Sequence, residues 1–163
     1  MKRVKRMATK KFQTLNDYCN YVNKQLEKCM DEVGRQMKVE VQNLIFEKIY
    51  RTRNPKEYER TFNFLNSIQY KFTNNNGKFQ VEVYYDTDLI KAEYNEYSYW
   101  NQHMSLSGED VSKDIPYYME YGNKSPIYSY EGAYIMKEMK EYAEQNYAVK
   151  LATLLHQRGI KIG

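Results

Sequence analysis

The side chains in this chain that are able to do chemistry are few and scattered. Asp86 and Asp88 flank Thr87 and offer oxygens to a divalent cation. A calcium loop of the EF-hand kind also needs further ligands, a central glycine and a closing glutamate, which this stretch lacks, so turn residues after a strand are the simpler reading. Glu109, Asp110, Asp114 and Glu120 would supply a carboxylate pair for acid–base work if they converged, and their order along the chain gives no sign that they do. His103 and His156 have no cysteine or histidine at zinc-ligand spacing. Cys19 and Cys29 fall in one expected helix with their Cα atoms about 15 Å apart. Bridged cysteines keep their Cα atoms within about 7 Å, so the expectation is two buried structural thiols and no disulfide. Nucleophile-elbow, P-loop and dinucleotide fingerprints are all missing. The chain reads as one without a catalytic, metal or cofactor site.

What remains is a stretch built for packing, Asp114-Ile-Pro-Tyr-Tyr-Met-Glu-Tyr-Gly122. Asp114 is suited to cap a short helix, Pro116 to open it and Gly122 to end it in a left-handed conformation. Tyr117, Tyr118 and Tyr121 would then cluster at helical spacing, as a packing hub or an interface.

The elements around it follow from periodicity. From Leu15 the apolar residues Tyr18, Val22, Leu26, Cys29, Val33, Met37, Val41, Leu44 and Ile49 recur at steps of three and four, with a last step of five. That predicts an amphipathic helix of about 36 residues and roughly 54 Å, opened by Thr14 and Asp17 as a capping box and over by Asn54-Pro55. So long a rod must lie on a neighbour, bend over its own core, for which Gly34 offers a place, or enter a coiled coil. Ile68, Tyr70 and Phe72, the turn Asn74-Asn-Asn-Gly77, and the alternation of Phe79, Val81, Val83 and Tyr85 predict an antiparallel hairpin. A third strand is expected within Leu89 to Trp100. After Pro126, with Ser129 as its cap, a helix is expected from Tyr134 to Arg158, stopped by Gly159. The fold class is α+β: a long N-terminal helix, a three- or four-stranded antiparallel sheet, and a C-terminal helix packed on the sheet.

Composition sets the limits. A chain of 163 residues suffices for one domain, and 18 tyrosines with only seven glycines and three prolines argue against disorder. No apolar run approaches a membrane span, and the basic start lacks the apolar core of a signal peptide. Lys2, Arg3, Lys5, Arg6, Lys10 and Lys11 precede any acid, while the remaining 19 of 25 basic residues face 21 acidic ones. The division is therefore a basic arm over residues 1–13, mobile until it meets an acidic surface, and a domain over 14–163 with a charge near −2. Lys2, Arg3, Lys5 and Arg6 are candidate contacts to nucleic acid or to an acidic protein; the alternative is a solvated tail. Tyr94, Tyr97, Tyr99 and Trp100, interleaved with Glu93 and Glu96, suit a protein partner better than a base-stacking groove, which needs cations beside its rings.

The tyrosine pair, Glu120, Tyr121 and Gly122, followed by Pro126 and a long helix, resemble the "Y-A-x-Y-V-E-[FY]-G-T" signature of phage head-to-tail joining (neck, tail-completion) proteins. Thr61, Leu65, Ser67 and Ile68 in "RTFNFLNSI" resemble that family's "T-G-x-L-x-x-S-I", which there also follows a long helix and leads into the sheet. Phe62 stands where the family usually has glycine, and Asn123 where it has threonine. The order of helix, first block, strands, second block and final helix is similar over roughly residues 14 to 158. The resemblance implies a structural virion protein assembled in the host cytoplasm. It would form a ring with itself between portal or connector and tail proteins, around DNA that passes without sequence-specific contact and without a membrane. Tyr117, Tyr118, Glu120, Tyr121, Gly122, Thr61, Leu65 and Ser67 would carry structure and interface. The alternative function is a nucleic-acid-binding module that uses the basic arm.

Overall fold

In the computed structural model, the described residues are 11–52, 62–90, 110–124 and 129–161. The first helix, α1 (Leu15–Ile45), opens with the expected capping box: the Asp17 N–H donates to Thr14 Oγ1 at 3.1 Å, and the Thr14 N–H donates to Asp17 Oδ2 at 3.1 Å. Its continuation, Phe46–Tyr50, is a π-helical turn in which the Arg51 N–H reaches the Phe46 carbonyl five residues back. Val41, Ile45 and Ile49, at steps of four, are all buried across this junction.

A short helix α2 (Asn63–Asn66) leads into the hairpin of β1 (Ile68–Asn75) and β2 (Lys78–Tyr85). Asn76 and Gly77 form the two-residue turn, both at positive φ, 51° and 86°. The register sets Ile68 opposite Tyr85 and Phe72 opposite Val81, and β2 alternates inward and outward along its whole length. After a 3-10 turn at Thr87–Leu89, capped by Asp86, the later described segments are α3 (Ile115–Tyr121), β3 (Gly122–Lys124), β4 (Ser129–Glu131) and α4 (Ile135–Gln157). The 3-10 turn is thus the role of Asp86 and Asp88.

The architecture is α+β, as expected, with two differences: α4 packs along the long helix and not on the sheet, and the strands divide differently. The four described strands form two separate antiparallel pairs, β1 with β2 and β3 with β4, in place of one three- or four-stranded sheet. Most of the expected third strand, Leu89 to Trp100, lies outside the described residues. The long helix is the common wall. On one flank it meets the hairpin and α2: Tyr70 donates to Asp31 at 3.0 Å, Lys38 to Gln69 at 3.0 Å, and Gln42 to the Leu65 carbonyl of α2 at 3.2 Å. On the other flank α4 runs antiparallel to it, through Glu32 with Arg158 (2.9 Å), Glu40 with Lys150 (2.6 Å) and Lys48 with Glu138. Between these flanks lie Ile45, Ile68 and Ile135, all with no exposed surface and one from each layer. Burying each stabilises the fold by about 1.5–3 kcal/mol.

The C-terminus of α4 closes in a Schellman motif. The Gly159 N–H (φ 83°) reaches the His156 carbonyl at 2.9 Å and the Ile160 N–H the Leu155 carbonyl at 3.0 Å, while Leu155 and Ile160 pack with Cys29. Cys29 is fully buried, and burial pushes its thiol pKa up. Cys19, in contrast, is exposed, because the first two turns of α1 extend beyond the body.

Gly34 serves close approach instead of a bend. A Cβ there would lie 2.6 Å from the Tyr70 ring and 3.1 Å from Val81. Gly34→Val is therefore expected to lower stability in denaturant titration by about 1–3 kcal/mol through overpacking, which exceeds the few tenths recovered from helix propensity. An unchanged midpoint would remove the close-packing account.

Candidate functional site

The stretch from Asp114 to Gly122 folds as a 3-10 turn (Ser112–Asp114) followed by α3, with buried Pro116 in its first turn. Asp114 occupies the cap position without a side-chain cap bond: its backbone is already helical, at φ −89° and ψ −9°, so its carboxylate does not take the capping geometry. Gly122 ends the helix, its N–H bonded to the Tyr118 carbonyl, at φ 81° and ψ 175°. This is not the left-handed helical region but the extended region at positive φ, open essentially to glycine alone, and it turns the chain directly into β3.

The tyrosines face outward. Tyr117 and Tyr121 are 62% and 61% exposed and Tyr118 is half-buried. Their rings touch, Tyr117 lying 5.0 Å from Tyr121 and 6.0 Å from Tyr118, and Tyr134 joins them from just before α4, 6.4 Å from Tyr121. The cluster is a surface patch and, of the two expected roles, not the packing hub.

The inward residue is Glu120, 7% exposed. Its Oε1 accepts from the Tyr85 hydroxyl at 2.9 Å and from the Met136 N–H at 2.8 Å. Met136 is the second residue of α4, so Glu120 caps a helix that Tyr134, at φ 50°, leaves without a side-chain cap. An enclosed carboxylate is costly in isolation; here the two donors and the positive end of the helix dipole offset that cost. Ser129, the expected cap, lies instead in β4. Two backbone bonds complete the joint, Ala133 N–H to the Met119 carbonyl at 2.8 Å and Tyr134 N–H to the Glu120 carbonyl at 3.1 Å. They bring the chains so close that a Cβ on Gly132 would run into the Glu120 carbonyl and the Tyr121 backbone.

Tyr85 connects this joint to the upstream block. Its ring stacks on Phe64 at 5.3 Å, and Phe64 and Ser67 close one turn in which Ser67 Oγ, fully buried, donates to the Phe64 carbonyl at 2.7 Å. Leu65 packs against the same core. Among the candidate residues, Leu65, Ser67, Glu120 and Gly122 are thus structural, their two blocks linked through Phe64 and Tyr85, whereas Tyr117, Tyr118 and Tyr121 form the patch. Thr61, Lys2, Arg3, Lys5, Arg6, Tyr94, Tyr97, Tyr99 and Trp100 lie outside the described residues.

Sequence reasoning did not single out Tyr85, Gly132 or the Glu40 cluster. Tyr85 is signalled only by a hydroxyl at the end of an alternating strand, and Gly132 by nothing more than a glycine ahead of a helix. In the Glu40 cluster, Tyr147 and Lys150 both donate to one carboxylate, and the Lys150 ammonium lies 5.0 Å and 4.8 Å from the Tyr142 and Tyr147 ring centres. No group of three or more histidine, cysteine or acidic side chains able to hold a metal occurs among the described residues. No described helix is long and apolar enough to cross a membrane. No family model, curated protein or solved structure matches the chain.

The buried carboxylate makes two measurable differences. Glu120→Ala leaves the Tyr85 hydroxyl and Met136 N–H unpaired and is expected to cost about 2–4 kcal/mol in thermal or denaturant melts, with Glu120→Gln costing less because one acceptor survives. Equal melts for the parent and both variants would refute the cap. Burial, then the charge and hydrogen bond of Glu120, raise the Tyr85 pKa well above its ordinary value. Below pH of about 10 both the folded and unfolded tyrosine keep the proton; above it only the folded one does, so stability falls as pH rises, by up to about 1.4 kcal/mol per unit. In melts over that range the slope should be shallower for Tyr85→Phe than for the parent, and identical slopes would contradict it.

Proposed function

We propose that this protein is a structural subunit of a phage neck, a ring-forming head–tail connector or tail-completion protein that joins portal or connector to tail around the DNA passage. The observation that carries the reading is the convergence of its two motif blocks. Residues 64–67 and 117–122, distant in sequence, meet through Phe64, Tyr85 and Glu120, and the second block presents Tyr117 and Tyr121 outward. A motif that is half internal joint and half exposed aromatic face suits a subunit whose fold and assembly are built by the same residues.

A local feature favours the same reading. Phe62 has φ 57° and ψ 14°, a left-handed conformation that glycine adopts freely, and it occupies the position where the resembled signature has glycine. In this reading the protein has no catalytic role and takes no cofactor. It acts in the virion through contacts with copies of itself and with portal, connector and tail proteins.

The test is assembly. Mixed with candidate portal and tail proteins and imaged by negative stain, the chain is expected to appear as a ring at their junction. Tyr117→Ser combined with Tyr121→Ser should keep the parent melting temperature, since both rings are exposed, and fail to join. A tight dimer that buries the tyrosine face and ignores both neighbours would overturn the proposal.

A further inference from the structure

Two open apolar features lie at opposite ends of α1. At its start, residues 13–20 are all exposed, Leu15 at 78% and Tyr18 at 43%, with Phe12 folded onto Tyr18 and Tyr21 at ring distances of 5.3 and 5.2 Å. At its far end, α1 and the start of α4 enclose a cleft of about 320 Å3. Leu44 and Met139 form its apolar part, with Asn43 and Glu47 on the α1 side and Glu138 and Tyr142 on the α4 side. Exposed apolar and aromatic residues flank it along both helices. Val39 and Phe46, at helical spacing with Asn43, are 53% and 44% exposed; Tyr134, one turn before Glu138, is 49% exposed and Tyr142, one turn after it, 39%.

We propose that the N-terminal turns of α1 from one copy dock into the α1–α4 cleft of the next copy, so that the chain associates with itself head to tail. The two surfaces cannot meet within one molecule, because Tyr18 and Asn43 are separated by about 38 Å of the same helix. Complementary patches at opposite ends of a subunit make a heterologous contact, which closes into a ring when the rotation between copies allows. The contact is of the helix-in-groove kind, with Leu15 and Tyr18 exposed at helical spacing on the incoming helix.

The chemistry of the two partners matches. The incoming end follows six cations in residues 1–11, with Asp17 the only acid before Glu27. The cleft holds Glu40, already bonded to Tyr147 and Lys150, and Glu47 and Glu138, whose side chains are 54% and 48% exposed. The present partners of the latter two, Arg51 and Lys48, form surface pairs that contribute little and are readily shared with a new cation. A tyrosine hydroxyl donating to a carboxylate is also a pairing that occurs internally three times among the described residues, in Tyr70 with Asp31, Tyr85 with Glu120 and Tyr147 with Glu40. Tyr18 entering the cleft would repeat it between copies.

The inference rests on the ring reading and names its subunit contact. The exposed native Cys19 provides the probe. In the full-length Asn43→Cys variant, mild oxidation over a concentration series is expected to join Cys19 to the introduced thiol and give a ladder of trimers and larger species on non-reducing gels. Within one chain these two positions are about 36 Å apart, so every such bond joins two copies. Adding Leu15→Glu and Tyr18→Glu should abolish the ladder and leave the melting temperature unchanged. Dimers bridged only through the native Cys19 of each copy, or a ladder that persists with both glutamates, would overturn the contact. Rings on the neighbours without bonds from Cys19 to the introduced thiol would overturn it and leave the ring reading standing, whereas the ladder in a protein that never forms rings would uphold the contact and remove that reading.

Discussion

The structure depends on one enclosed carboxylate. Glu120 has to find donors once it is removed from water, and the two it finds belong to different parts of the chain, the end of β2 and the first turn of α4. Satisfying the charge therefore joins hairpin, α3 and α4 at a single point. The close backbone contact at Gly132 and the positive φ of Gly122 hold the same joint by sterics. Neither α3, at seven residues, nor the three-residue strands beside it bury enough surface to persist alone; the joint makes them part of the fold.

The long helix sets the remaining distances. Its hairpin flank and its α4 flank each carry polar pairs at intervals along the rod, and between them runs the apolar line of Val33, Val41, Ile45 and Ile49. The exposed pairs contribute at most about 1 kcal/mol each, so they fix register more than they stabilise. Stability comes from the enclosed isoleucines and from the absence of a side chain at Gly34, which brings the hairpin against the helix. The π-helical turn carries buried Ile49 and also Lys48, which donates to the Ala133 carbonyl at 3.1 Å and to Glu138. The end of the long helix is thereby tied to the loop that Glu120 caps.

In the proposed reading, the outward surface is the functional side of this arrangement. With Glu120 satisfied inside, Tyr117 and Tyr121 are left outside; with the body of α1 clasped on two flanks, its first turns and the cleft at its far end are left open. A fold that uses its polar groups to lock its own joints and leaves aromatic groups exposed is suited to association.

The sequence by itself determined the local elements. Apolar periods of three and four marked α1 and α4, strict alternation marked β2, Asn76-Gly77 marked the turn, and Thr14 with Asp17 marked where the long helix begins; each depends on a few neighbouring residues and their backbone preferences. The tertiary structure alone decided which acid mattered and which face each aromatic took. Glu120, Asp114, Glu109 and Asp110 look alike in the chain, and only the arrival of Tyr85 and Met136, 35 residues before and 16 after, makes Glu120 the internal one. The tyrosines of α3 read equally well as core or surface, because a ring with a hydroxyl is at home in both. The strands' division into two pairs, the second flank of α1 and the need for glycine at positions 34 and 132 depend on what packs across from them, which no local pattern encodes.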